Sequence, residues 1–204
     1  MKKLISAILI LFLCVGIYSC SKNDAASTAT TASTDNSTDN STESVYIYPY
    51  STSTQYAYNA HKVVNTCYGT NSSGYTSAPF YSTSTHDLKD RLPSSKWSNP
   101  VKSLQGHKIS SSWENLWDGN IDMSLHEAEV IYDNYSIIYR GLWTGTQSDG
   151  TFSGNNCTGW SSTSSGDNAT HGTFQAKDSS DWIDNSTTNC NATGSNYFLC
   201  FKYN

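Results

Sequence analysis

The sequence predicts an α+β domain that is cross-linked by disulfide bonds and preceded by a polar segment. Short segments with helical and with strand periodicity alternate after residue 45. Four of the six cysteines fall in the same region, with spacings unlike those of a zinc site. The chain has 6 Trp, 14 Tyr and 6 Phe but few aliphatic residues, so its core must rely on aromatic burial. Residues 45–204 have the size of one domain.

The first nineteen residues have the layout of an export signal. Lys2 and Lys3 precede an apolar run that ends at Ile17, and Ile17-Tyr18-Ser19-Cys20 resembles a bacterial lipobox. The run is shorter than the about 20 residues that a permanent membrane helix needs. We therefore expect cleavage before Cys20 and lipidation of that cysteine. The alternative is an ordinary secretory peptide that leaves Cys20 as a free thiol.

Residues 20–44 are predicted to form a flexible tether. After Cys20, the segment 21–44 has no aromatic and no large aliphatic side chain, so its burial cannot offset the entropy cost of ordering it. A random coil of about 24 residues reaches about 25 to 30 Å. A lipidated chain would thus present residues 45–204 at the surface of the outer membrane.

Two segments are predicted to be helical. Thr54–Cys67 places Ala57, Ala60, Val64 and Cys67 on one face. Ser111–Trp117 has a serine followed three residues later by Glu114, which is the pattern of a capping box.

Three further segments show strand periodicity. Glu129–Tyr132 and Ser136–Tyr139 read as a hairpin around Asp133-Asn134, and Tyr197–Tyr203 as a final strand. The stretch Leu142–Thr193 is rich in Gly, Ser, Thr and Asn, which predicts a long loop region. Its strong hydrophobic anchors are Trp143, Trp160 and Trp182.

Cys67, Cys157, Cys190 and Cys200 predict a disulfide framework. Four cysteines allow three pairings, and the sequence by itself leaves all three open. We favour the nested pairing of Cys67 with Cys200 and Cys157 with Cys190.

Charge and motifs exclude several classes of function. The net charge is −5, and it becomes two units more negative once Lys2 and Lys3 are removed, so a basic surface for nucleic acid is not expected. His126-Glu127 begins a zinc-protease motif, but Val130 occupies the position of the second histidine ligand. The chain also has no Gly-x-Ser-x-Gly elbow. We expect no enzyme activity, no metal and no cofactor.

Beyond these patterns, the chain resembles the endostatin domain of collagens XV and XVIII, and more closely the leptospiral endostatin-like outer-membrane lipoproteins. The resemblance covers about residues 55–204. It rests on segments that occur in the same order, namely Ala60–Cys67, Asp87–Asp90, Ser112–Gly119, Ile131-Tyr132, Leu142–Gly145, Asp149-Gly150, Asn156–Trp160, Cys190 and Phe198–Phe201.

The resemblance implies an endostatin-like, C-type-lectin-like α+β fold with two nested disulfides. It also implies binding of host macromolecules, such as laminin, fibronectin, fibrinogen, plasminogen or complement regulators of the factor H type. The domain has only Arg91 and Arg140 in place of the arginine clusters that bind heparin, and the histidine-rich zinc site is missing. Heparin and zinc are therefore not expected ligands.

The candidate ligand-binding residues lie in the C-terminal loops: Trp160, Asp178, Asp181, Asp184 and Asn185. The carboxylates also suggest an alternative, a calcium-dependent lectin, because Ca²⁺ takes about six to eight oxygen ligands. A third alternative is a surface coat protein without a host ligand.

Overall fold

Two β-sheets contain most of the regular secondary structure in the part of the chain that the computed structural model describes, which is residues 43–50, 67, 69–70, 73–131, 141–191 and 196–204. These residues belong to one compact unit, Asp39–Asn204. The predictions for the signal 1–19, for Cys20 and for the tether up to residue 42 lie outside the described residues. So does the helix predicted from Thr54, apart from Cys67.

The larger sheet has six strands in the order β2-β3-β10-β1-β4-β5. These are β1 (Val45–Pro49), β2 (Gly69–Thr70), β3 (Thr76–Pro79), β4 (Val101–Ser103), β5 (Lys108–Ser110) and β10 (Leu199–Tyr203). Strand β1 pairs antiparallel with β10, with Ile47 opposite Phe201, and parallel with β4. The first and last described strands are therefore neighbours inside the sheet.

The smaller sheet has four strands in the order β8-β7-β6-β9. These are β6 (Gly141–Trp143), β7 (Asn168–Thr173), β8 (Ser186–Asn189) and β9 (Asn196–Tyr197). Strands β7 and β8 form an antiparallel hairpin whose connection, residues 174–185, contains the predicted acidic segment. The chain passes from this sheet to the larger one at Phe198, so the predicted strand Tyr197–Tyr203 is confirmed but divided between two sheets.

Helices are short throughout the described ranges. Four are 3-10 helices, at Lys89–Arg91, Ser94–Lys96, Glu114–Asp118 and Ser180–Trp182, and one helical turn spans Cys157–Trp160. No helix among the described residues is both long and apolar enough to cross a membrane. The described residues thus form a mixed α/β structure with more sheet than helix and with two disulfides, which agrees with the predicted class at this coarse level.

Aromatic side chains fill the core, as their abundance predicts. In the first cluster, Trp113 packs against Phe80 and Phe201, with ring centroids 6.0 and 4.9 Å away. In the second, Tyr81 packs against Trp160 and Phe198 at 5.1 and 5.6 Å. Aromatic pairs with such separations stabilise a core beyond the area that they bury.

The disulfides join Cys67 to Cys200 and Cys157 to Cys190, which confirms the nested pairing. All four cysteines lie in the second aromatic cluster. The bridged residues are 133 and 33 positions apart in sequence. In the chain-entropy model these loops contribute about 5 and about 4 kcal/mol to stability.

The predicted capped helix Ser111–Trp117 is wrong in its start and its cap. The element is a 3-10 helix that begins at Glu114. A capping box would direct the N–H of Glu114 to Ser111 Oγ, but this N–H donates to Trp97 O of another segment. Ser112 Oγ, not Ser111 Oγ, accepts the N–H of Asn115 at 3.0 Å.

A capping-box exchange does occur at Ser124 and Glu127. Ser124 Oγ accepts the N–H of Glu127 at 3.1 Å, and Glu127 Oε2 accepts the N–H of Ser124 at 3.2 Å. The same Ser-x-x-Glu pattern therefore caps a turn at a place where no cap was predicted.

The strand predicted at Glu129–Tyr132 is also wrong for its described residues. Glu129 has a φ of 54° and donates its N–H to His126 O, while Val130 donates to Leu125 O. Local turn bonds thus use the groups that a strand partner would need. Tyr132 and the second predicted strand, Ser136–Tyr139, lie outside the described residues.

The predicted loop region Leu142–Thr193 contains more sheet than its composition indicates. Strands β7 and β8 and most of β6 fall within it. Threonine is β-branched and favours strands. Strand β8 lies at the edge of its sheet, where polar side chains are tolerated, so the polar composition of this region is compatible with a sheet. Trp143, Trp160 and Trp182 are confirmed as anchors, since each is at most 5% exposed.

Candidate functional site

The predicted acidic residues lie on the connection between β7 and β8. Trp182 and Ile183 in this segment are fully buried, whereas Asp178, Asp181 and Asn185 are exposed and Asp184 is half-buried. The buried apolar pair fixes the segment to the core. The structure therefore presents these polar side chains on a well-anchored loop.

Three close contacts hold this segment against the smaller sheet. The N–H of Asn185 donates to His171 O at 2.9 Å, and Thr144 Oγ1 donates to Ile183 O at 2.8 Å. A Cβ built on Gly172 would lie 2.1 Å from Trp182 O. Only glycine at position 172 lets the two backbones approach this closely.

A second loop brings a further carboxylate, Asp149, close to this segment. Asp149 Oδ1 accepts hydrogen bonds from the N–H and the hydroxyl of Thr151 at 3.0 and 2.6 Å. The loop is fixed to its neighbours because Lys89 N–H donates to Gly150 O at 3.2 Å. Gly150 has a φ of +83°, and a Cβ there would lie 2.8 Å from the Trp117 ring.

The charges of these loops influence one another. Partial burial raises the pKa of Asp184 above its usual value, and the negative charges of Asp149 and Asp181 raise it further, against a hydrogen bond from Ser148 N–H that lowers it. The hydrogen bonds from Thr151 lower the pKa of Asp149. We call Asp149, Asp178, Asp181, Asp184 and Asn185 the acidic loop surface.

A buried hydroxyl network lies beneath these loops, formed by Ser82, Thr144, Thr146 and Thr170, each at most 2% exposed. Ser82 Oγ accepts the N–H of Leu88 at 2.9 Å and lies 2.9 Å from Thr146 Oγ1. Thr170 Oγ1 donates to Ser153 Oγ at 2.7 Å. Because satisfied buried hydrogen bonds order the groups that they join, the network fixes loops from four parts of the chain.

Trp160 does not belong to the surface, which corrects its place among the candidate ligand residues. Its side chain is 5% exposed, and its Nε1 donates to Ser82 O at 2.9 Å. Its ring packs on Tyr81 and Phe198 in the second aromatic cluster. A ring in this position cannot stack on a ligand.

The turn that places Trp160 is left-handed. Cys157, Thr158, Gly159 and Trp160 have φ values of 51°, 53°, 69° and 64°. Each left-handed residue other than glycine costs roughly 1–2 kcal/mol. Asn156 Oδ1 accepts the N–H of Gly159 at 2.9 Å, but the main constraints are the Cys157–Cys190 bond and the burial of Trp160.

The described residues indicate neither a metal-binding group nor a serine activated by a histidine. No group of three or more His, Cys, Asp or Glu residues there is arranged to hold a metal ion. Ser186 Oγ lies 3.0 Å from His171 Nε2, but the two residues are cross-strand partners in β7 and β8, and the other ring nitrogen faces Gly172 O at 3.4 Å. Strand pairing explains this contact.

No protein-family model matches the chain, and comparison with curated proteins finds no match. What the surface can do therefore follows from its chemistry. Carboxylate and amide oxygens accept hydrogen bonds and attract cationic groups. The acidic segment was predicted from the sequence, whereas Asp149 was not, although its Asp-Gly turn pattern marks an exposed loop.

Proposed function

We propose that this chain is a lipid-anchored protein of the outer-membrane surface whose endostatin-like domain binds host macromolecules through the acidic loop surface. The observation that carries the proposal is the combination of exposed carboxylates with loops held from beneath. Binding then requires little ordering of the loops, which reduces the entropy cost of association.

The resemblance to the endostatin-like lipoproteins supports the proposed fold type. It implies nested disulfides and a final strand, and the structure has both features. The segments Asp149-Gly150 and Asn156–Trp160, which contribute to the resemblance, lie in or next to the candidate loops.

The charge of the surface indicates which partners fit. Among the described residues, three lysines lie in ion pairs, Lys96 with Glu43, Lys108 with Asp122 and Lys177 with Glu127. An acidic loop surface is suited to a basic patch on a matrix, fibrinolytic or complement protein, and opposite charges steer association. Heparin, a polyanion, would be repelled.

The experiment is surface plasmon resonance of the full chain against laminin, fibronectin, fibrinogen, plasminogen and a regulator of the factor H type. The test variant is the double substitution Asp178→Asn with Asp181→Asn, and the matched control is Glu129→Gln, an exposed carboxylate in another turn. Each exposed pair is worth about 0.2–1 kcal/mol, so the affinity should fall by roughly 2- to 30-fold. Higher salt should weaken binding as well, because it screens charges.

Three results would contradict the proposal. An equal loss of affinity in the control and in the double variant would place the binding surface elsewhere. Binding that a chelator abolishes would favour the calcium-dependent lectin. A chain that binds none of the panel would favour a coat protein without a host ligand.

A further inference from the structure

The left-handed turn Cys157–Trp160 is fixed at its two ends by different means. At one end Cys157 is bonded to Cys190, which directly follows β8. At the other end Trp160 is buried against Tyr81 and donates to Ser82 O. Between these ends, Thr158 and Gly159 are exposed.

The backbone of Thr158 is strained, and its exposed side chain makes no contact with the core that would offset this strain. Thr158 has a φ of 53° and an exposed side chain, so its conformation follows from its fixed neighbours. Gly159, with a φ of +69° and open space at its Cβ position, is the residue type that suits such a backbone. The strain at Thr158 is thus imposed by the closed disulfide and by Trp160.

We propose that the Cys157–Cys190 disulfide is a reducible latch that holds this turn in its left-handed form. A dithiol reductant transfers two electrons to the bond. The S–S bond breaks, Cys157 and Cys190 become thiols, and the reductant becomes a disulfide. Cys157 and Thr158 then leave the left-handed region.

Opening of the latch also loosens the adjoining end of the smaller sheet. Asn156 is bridged to Ala169 at the start of β7, and Thr170 N–H donates to Asn155 O at 3.1 Å. Cys190 N–H donates to Asp167 O at 2.9 Å. These bonds join the turn to the β7–β8 hairpin, so reduction increases the mobility of residues 156–170. The latch does not depend on the proposed ligand binding.

The backbone strain at Thr158 and the reduction equilibrium of the disulfide are thermodynamically coupled, and this coupling can be tested. If reduction releases the strain, a variant that lacks the strain is harder to reduce. Thr158→Gly removes the penalty of roughly 1–2 kcal/mol, and this should lower the equilibrium constant for reduction by roughly 5- to 30-fold. The matched control is Thr163→Gly, an exposed threonine outside the positive-φ set. It reproduces the added chain flexibility of glycine without relieving strain.

The full chain in detergent is equilibrated with dithiothreitol buffers, free thiols are alkylated, and the Cys157 and Cys190 peptides are quantified by mass spectrometry. Cys200, in the regular strand β10, reports on the other bond, which should not change. Hydrogen exchange of residues 156–170 should rise on reduction while that of β1 and β10 stays constant. Equal reduction of Thr158→Gly and Thr163→Gly, or unchanged exchange of residues 156–170, would overturn the proposal.

Discussion

Replacing Gly172 by alanine should strongly destabilise the domain. The new Cβ would lie 2.1 Å from Trp182 O and 2.7 Å from Ile183 Cα. Both are backbone atoms, so relief requires the whole segment to move by about an ångström to reach ordinary contact. Overpacking of this kind costs about 1–3 kcal/mol. Movement also weakens the bonds from Asn185 N–H and Thr144 Oγ1, each worth about 0.5–1.5 kcal/mol, which gives a loss of about 2–6 kcal/mol.

Urea unfolding followed by tryptophan fluorescence measures this loss. With a slope of about 2 kcal/mol per M, the midpoint should fall by roughly 1 to 3 M. Gly166→Ala is the matched control, since its Cβ would meet only Ser164 Oγ, at 3.5 Å, and its φ is not positive. An exposed substitution of this kind should stay within about 0.5 kcal/mol. Equal midpoints for the two variants would refute the close approach of β7 to the acidic segment.

Two further predictions concern Asp184 and Cys20. The pKa of Asp184 is raised above 3.8 in the folded state, so the folded state retains its proton longer, and stability falls as the pH rises from about 3.8 through the raised value. Asp184→Asn should remove this loss, and unfolding free energies between pH 3 and 7 check it; an identical pH profile in the variant would contradict the assignment. Cys20→Ala should move the chain from the detergent phase to the aqueous phase on phase separation, because the acyl chains are the proposed anchor. Unchanged partitioning would argue against lipidation.

Local signals predicted the parts of the fold that depend on individual residue types. Tryptophans with few aliphatic neighbours predicted an aromatic core, and Trp143, Trp160 and Trp182 are buried. The disulfide partners followed the favoured pairing. The apolar run around Phe201 gave the final strand, since a central strand is buried on both faces and therefore reads as continuous hydrophobic sequence.

Polar strands and capped turns were harder to predict. Strand β7 has the sequence Asn-Ala-Thr-His-Gly-Thr, which resembles a loop. Its glycine, Gly172, is required by the close contact with the Trp182 backbone, although glycine has a low propensity for strands. Ser111 and Ser124 both start a Ser-x-x-Glu pattern. Only Ser124 forms the capping exchange, since the N–H groups of residues 113 and 114 are taken by a distant segment.

The candidate site was predicted only where it is continuous in sequence. Asp178, Asp181, Asp184 and Asn185 lie in one segment, and the sequence identified them together. Asp149 joins them through contacts between distant loops, which no local pattern reports. The left-handed turn at Cys157 and Thr158 has no propensity signal, because neither residue type favours positive φ.

The position of β1 determines how the domain would carry a mechanical load. If the chain is anchored at Cys20, drag on the domain is transmitted to the membrane through residue 44 into β1. This strand lies between β10 and β4, not at an edge of the sheet. A pull along its axis therefore shears the hydrogen bonds on both sides at once, whereas an edge strand would peel away one bond at a time. The first strand of an anchored domain would therefore resist being pulled out of the sheet by fluid flow.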